Sequence, residues 1–173
     1  IPKLDEGVAA TLAPRALGKL AEKGYTFTDD EAEADIAVVN SCCFIGDAKE
    51  ESINTILQLA ELKTEGQLKA LIVCGCLAQR YKDEIQTEIP EVDAIIGTTA
   101  IDTIVETVES VLAGKSENHL EDIDRACVYG VPRSVTTGGH FAYLKIAEGC
   151  NKRCTYCVIP SVRGNYRSIP MDS

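Results

Sequence analysis

Three cysteines, Cys150, Cys154 and Cys157, fall within the stretch EGCNKRCTYCVIPSVRG (148–164), spaced C-x-x-x-C-x-x-C. Thiolates this close suit a metal site, a redox pair with a bystander, or an iron–sulfur site. Structural zinc wants a closed tetrahedral shell, so a fourth Cys or His should stand nearby. His140 lies ten residues before Cys150, and no Cys or His follows Cys157. A 4Fe–4S cluster normally takes four cysteines. Held by three, it keeps one iron open to bind and activate a ligand. Further back, Cys42 and Cys43 directly follow an apolar run, and Cys76 ends another.

The elements that must position these residues are legible as hydrophobic periodicity. Residues 11–25 space their apolar side chains at helical intervals, with Gly24 just past the end. Residues 35–41, 69–76 and 92–98 are short, almost wholly apolar runs, as expected of strands buried on both faces. Residues 47–63, 78–89 and 100–114 carry the helical pattern between and after them. This alternation predicts an α/β fold: a doubly wound, mostly parallel sheet with helices on both faces. In such sheets ligands bind in the crevice beyond the carboxyl ends of the strands, where Cys42 and Cys76 would converge. Cys74, two residues before Cys76 in the same run, is expected in the core. Residues 115–140 lose the periodicity and gather Gly, Ser, Thr and Pro, which predicts a linker containing Cys127, His119 and His140. Residues 141–149 then read as a new strand, with the three-cysteine stretch as its loop. The expected divisions are 1–114, 115–140 and 141–173.

The 173 residues have an ordinary balance, 45% apolar and 25% charged. No apolar run is long enough to span a membrane, and the opening residues lack the order of a signal peptide. A cytoplasmic protein is therefore expected, in which eight cysteines point to metal or redox chemistry rather than a disulfide framework. Net charge is −10, and residues 141–173 carry five basic residues against two acidic ones, which leaves −13 on residues 1–140. Such a surface repels phosphate backbones and argues against nucleic-acid binding by this part. No Gly-rich phosphate loop or Ser-His-Asp pattern is present.

The loop resembles the signature of the radical S-adenosylmethionine (SAM) enzymes, C-x-x-x-C-x-aromatic-C, read here as Cys150, Cys154, Tyr156 and Cys157. That resemblance implies a 4Fe–4S cluster on the three cysteines, SAM chelated by the open iron, and Tyr156 beside the adenine. SAM cleavage would release a 5′-deoxyadenosyl radical, and the loop would cap the first strand of a parallel β/α barrel. The blocks VVNSCCFIGDAKEESINTIL (38–57), CGCLAQRY (74–81), EIPEVDAIIG (88–97) and AYLKIAEGCNKRCTYCVIPSVRGNYRS (142–168) resemble the radical SAM methylthiotransferases. Within these blocks, the runs FI-x-x-AKEESI, GCLAQRY and IP-x-x-RG-x-x-RS are similar to the RimO type, which acts on an aspartate of small-subunit ribosomal protein twelve. The likeness covers most of residues 17–173.

Carried over, Cys42 and Cys76 match two of three cysteines that hold an auxiliary 4Fe–4S cluster, thought to take up the inserted sulfur. The third stands in an earlier L-G-C-x-K-N segment that this chain lacks. Cys43 stands where the family has Gly. The implied partners are a small-subunit ribosomal protein as substrate and an electron donor such as flavodoxin or ferredoxin. Arg163 and Arg167 are candidates to contact SAM carboxylate or substrate, and Arg80 and Tyr81 to line the cluster crevice. The barrel is expected to be truncated here and the 173 residues alone inactive. A tRNA methylthiotransferase of the same superfamily is the alternative enzyme; a zinc-stabilised binding module is the alternative without catalysis.

Overall fold

Apolar runs without polar alternation must be covered on both sides, and here they form the middle of a parallel sheet. The computed structural model describes residues 3–5, 14–28, 30–126, 134, 140–141 and 144–172. Five strands, β1 (Lys3–Asp5), β2 (Thr26–Thr28), β3 (Ile36–Ser41), β4 (Ala70–Gly75) and β5 (Ala94–Ile96), lie in the order β2-β1-β3-β4-β5, all parallel. The helices are α1 (Pro14–Glu22), α2 (Gly46–Thr64), α3 (Cys76–Arg80), α4 (Lys82–Glu88) and α5 (Ile104–Leu112). This is the doubly wound α/β domain expected. Strands β1 and β2 escape the periodicity because three residues are too few to show a pattern.

Side chains of a strand point alternately to opposite faces, so each strand feeds two cores. Ala37, Val39, Leu71, Val73 and Ile95 pack with α2, α3 and α4 through Ile56, Leu59, Leu77 and Ile85. Ile36, Val38, Ala70, Ile72, Cys74 and Ile96 face the other way, onto Leu17 and Leu20 of α1 and Ile104 and Val108 of α5. Among the described residues no helix is long and apolar enough to cross a membrane.

Two boundaries differ from expectation. The second apolar run ends at Gly75, and Cys76 opens α3 rather than closing the strand. Gly75 has φ +97° and ψ −157°, a region open only to glycine, and this sharp turn sends the chain from strand into helix. A Cβ there would stand 2.5 Å from the Ser41 carbonyl oxygen and 2.8 Å from Asn40 Oδ1. The helix expected over 78–89 is broken at Tyr81 (φ −120°, ψ 34°) into α3 and α4. Lys49 Nζ lies 4.3 Å from the Tyr81 ring centroid, over its face.

Residues 115–126, the described start of the expected linker, run along the β5 edge. His119 N–H donates to Ile95 O and Gly97 N–H to His119 O, both at 2.8 Å, while Asn118 Oδ1 accepts from Ile95 N–H at 3.0 Å. Arg125 forks onto the Asp102 carboxylate at 2.9 and 3.1 Å. Backbone donors of an edge strand need such partners. Cys127 lies outside the described residues. The strand expected over 141–149 is corrected: among its described residues only β6 (Ala147–Glu148) forms, and it pairs antiparallel with β7 (Arg167–Ser168). The short helix α6 (Ile159–Arg163) lies between these two strands.

Gly75→Ala is expected to cost about 2–3 kcal/mol through the strained turn, read as a lower urea midpoint with unchanged slope. Burial, with the Cys76 charge adding and Arg163 opposing, pushes the Cys74 thiol from 9.0 up to about 12. The folded chain keeps this proton where the unfolded chain has lost it. Stability is therefore full below pH 9 and declines as pH rises toward about 12. Cys74→Val should flatten that decline in denaturant titrations. Cys43, raised by burial, and Tyr25, raised by burial and by the Glu109 charge, leave a residual slope.

Candidate functional site

The six-residue register of β3 on β4 places Ser41 opposite Gly75, so the next residues, Cys42 and Cys76, emerge at the same level of the crevice. Cys42 is fixed by its backbone: its N–H donates to Ser52 Oγ (2.9 Å), which itself donates to Ala48 O (2.8 Å). Ser41 Oγ, buried, donates to Cys74 O at 2.6 Å and accepts the Ala78 N–H at 3.3 Å, tying the first turn of α3 to β3. Cys43 and Cys76 are buried and Cys42 half-buried. Burial raises the Cys43 thiol, with the Cys76 and Cys42 charges adding and Arg80 and Lys49 opposing. Arg80 and Tyr81, candidates for the crevice, stand beside this group, with the Arg80 guanidinium carbon 5.2 Å from the Tyr81 ring centroid.

Helix α6, which follows the three-cysteine loop, packs at the same crevice. Val162 of α6 is buried against Cys43, Cys76, Leu77 and Ala78, and Thr98, just beyond β5, donates from Oγ1 to Val162 O at 2.7 Å. Arg163 follows, and its Nε donates to Cys76 Sγ at 3.1 Å. The same guanidinium lies 3.4 Å from Glu148, two residues before Cys150. Burial opposes both charges, yet Arg163 is held above the ordinary arginine range by Cys76, Glu148 and Cys42. Glu148 is likewise held below the carboxylate range by Lys145 and Arg163. The shifts, Arg163 up and Glu148 down, both favour the charged forms, as expected of a part-buried pair that is also hydrogen-bonded.

The loop is pinned at its ends. Gly149 and Gly164 take φ +73° and +71°, and Cys150 N–H donates to Gly164 O at 3.0 Å. A Cβ on Gly149 would run into the Asn165 backbone. Asp124 accepts from Asn165 N–H and Nδ2 at 2.7 Å and from Arg167 Nη1 at 2.9 Å, and Arg167 Nη2 donates to Ile123 O at 3.0 Å. Arg167 is thus occupied with the 122–124 turn rather than turned outward. Sequence reasoning missed Glu148 and Asp124; no spacing rule links them to groups 15 and 41 residues away.

Cys150 and Cys157 are half-buried, Cys154 is exposed, and Tyr156 is 90% exposed. None of the seven described cysteines is in a disulfide. Among the described residues, no three His, Cys, Asp or Glu side chains are gathered tightly enough to hold a metal ion. The structure therefore brings Cys42, Cys43 and Cys76 to one crevice but does not converge Cys150, Cys154 and Cys157 on a point. As donors, three free thiols in one glycine-pinned loop fit three irons of a 4Fe–4S cluster.

Residues 13–97 match the family described as uncharacterized protein family UPF0004. Across 156 residues the chain is 58% identical to the ribosomal protein uS12 methylthiotransferase RimO of Lachnoclostridium phytofermentans, covering 90% of this chain and 36% of that protein. It is 50% identical to the proteins of the same name in Clostridioides difficile (88% of this chain, 34% of that one) and Desulforamulus reducens (91% and 36%). The chain spans about a third of the length of the curated relatives it matches. The match takes in nine-tenths of the chain and runs through both the strand ends and the three-cysteine loop, so over that length the chain is similar to the methylthiotransferases of the RimO type.

Proposed function

We propose that the full protein adds a methylthio group to the β-carbon of an aspartate in ribosomal protein uS12. The observation that carries this reading is the meeting, in one crevice, of the strand-end cysteines with the segment that bears the loop cysteines, through Arg163 and Val162. The substrate class is supported by the relatives, named as uS12 methylthiotransferases in several organisms. The tRNA reading is not favoured by them.

On this reading Cys150, Cys154 and Cys157 hold the radical SAM 4Fe–4S cluster, and Cys42 and Cys76 belong to an auxiliary one. Residues 1–114 form the α/β domain, 115–140 connect it, and 141–173 open the barrel. A 4Fe–4S cluster held by Cys150, Cys154 and Cys157 would supply the one-electron chemistry with SAM that an unactivated C–H bond requires. The chain's own residues orient and shield. Gly149 and Gly164 set the loop's path, Val162 and Thr98 seat it on the strand ends, and Tyr156 presents an uncovered ring to an adenine. An aromatic face adds about 0.5–1.5 kcal/mol to a stacked partner beyond the area buried. A cytoplasmic setting suits a ribosomal substrate and reduced thiols. The electron donor is a small carrier of the flavodoxin or ferredoxin kind.

The test is anaerobic reconstitution of the full chain with iron and sulfide, followed by iron analysis, SAM cleavage and mass spectrometry of uS12. Cys150→Ala, Cys154→Ala and Cys157→Ala should each lose SAM cleavage and uS12 modification while keeping the iron of the auxiliary site. Unchanged iron content and SAM cleavage in all three would falsify the assignment.

A further inference from the structure

The two ends of the three-cysteine loop are tied to each other, and a turn beyond the α/β domain holds the tie. At the base of the loop Cys150 N–H donates to Gly164 O at 3.0 Å and Tyr166 N–H to Asn151 Oδ1 at 2.8 Å. The return arm, 164–167, closes on Asp124. One carboxylate oxygen accepts from Asn165 N–H at 2.7 Å and from Arg167 Nη1 at 2.9 Å, and the other accepts from Asn165 Nδ2 at 2.7 Å. Arg167 Nη2 adds a bond to Ile123 O at 3.0 Å. A Cβ on Gly164 would run into the Asp124 carboxylate, so arm and turn are in close contact. The turn has its own anchors. Asp124 N–H donates to Asp122 Oδ1 at 2.8 Å, and Asp122 O accepts from Arg125 N–H at 2.9 Å and from Thr99 Oγ1 at 3.0 Å. Arg125 then forks onto Asp102, just before α5. A continuous path of bonds therefore runs from the α/β domain through 122–125 to the base of the loop. A half-exposed ion pair contributes little by itself, but a carboxylate that takes three donors from one short arm fixes its geometry.

We propose that the 122–125 turn is a strap and that Asp124 is a positioning residue for the three-cysteine loop. It holds the return arm where Gly164 O meets Cys150 and Tyr166 N–H meets Asn151, and so sets how Cys150, Cys154 and Cys157 are presented. The consequence for SAM rests on the loop-cluster reading proposed above; the strap itself stands on the contacts. What the arm needs from Asp124 is acceptance of its donors, which an amide can largely replace. In Asp124→Asn the side-chain oxygen still takes the Asn165 N–H, and the Asn165 amide can turn over to accept from the new Nδ2. Only Arg167 then loses its counter-charge.

The experiment compares the full chain with its Asp124→Ala and Asp124→Asn variants, by amide hydrogen exchange before iron is added and by SAM cleavage after anaerobic reconstitution. Asp124→Ala is expected to speed exchange at Cys150, Asn165 and Tyr166 about fivefold, with β3 and β4 unchanged to within about twofold. Asp124→Asn should restore the protection to within about twofold of the unsubstituted chain. In the reconstituted chain Asp124→Ala should raise the KM for SAM about threefold and leave kcat within about twofold, because only the docked loop is competent to bind. Where Asp124→Ala fails to fold, Arg167→Gln, which removes the charge facing Asp124, takes its place and should speed exchange at Asn165 and Tyr166 about threefold. Exchange that is unchanged at these amides, or that rises equally in β3 and β4, overturns the strap. Exchange that responds while KM and kcat both stay within about twofold overturns the positioning role. A full chain that takes up no iron overturns the loop-cluster reading instead, and exchange still upholds or overturns the strap.

Discussion

The parallel pairing of β3 with β4 is the constraint on which the rest depends. Six residues of each strand are in register, from Ile36 opposite Ala70 to Ser41 opposite Gly75, and both strands are buried on both faces. Slipping that register by one residue would turn every side chain of a strand to the other face and into the wrong core. The register is therefore fixed by packing, and with it the level at which the chain leaves the sheet. Cys42 and Cys76 are neighbours because they are the first residues past the last matched pair. Gly75 completes the arrangement by turning the chain sharply enough for Cys76 to begin a helix rather than continue outward.

What covers these strand ends is the segment that carries the three-cysteine loop. Apolar burial of Val162 supplies contact without direction, while the polar contacts supply the direction: Thr98 to the Val162 carbonyl, Arg163 to Cys76 and Glu148, Arg167 to Asp124. Placing a guanidinium and a carboxylate in a partly desolvated crevice is costly unless each is paired and hydrogen-bonded, and both conditions hold here. Arg163 and Lys145 pair with Glu148 of their own segment, and Arg167 reaches Asp124 of the connecting stretch.

Much of this was legible beforehand. The buried runs at 36–41 and 70–75 and the helices that follow them stand within a residue or two of their expected places, because uninterrupted β-branched stretches and helical spacing report burial directly. Cys74 was expected in the core and is there. The misses have physical causes. Strands β1 and β2 are too short for periodicity, and the helix break at Tyr81 follows from a local turn that helical spacing does not register. The antiparallel pairing of β6 with β7 depends on a return of the chain that 141–149 does not reveal by itself.

The sequence by itself determined the chemistry available: three thiols at a spacing suited to an open-iron cluster, an aromatic beside the last of them, and two more thiols at the ends of buried strands. Spacing and residue type are local properties, and a linear reading captures them. Which of these groups meet was decided only by the tertiary structure. Arg163 and Cys76 are separated by 87 positions, and Asp124 and Arg167 by 43. Such pairs arise from the way α6 settles on the carboxyl ends of the sheet, a consequence of global packing and strand register that no local pattern encodes.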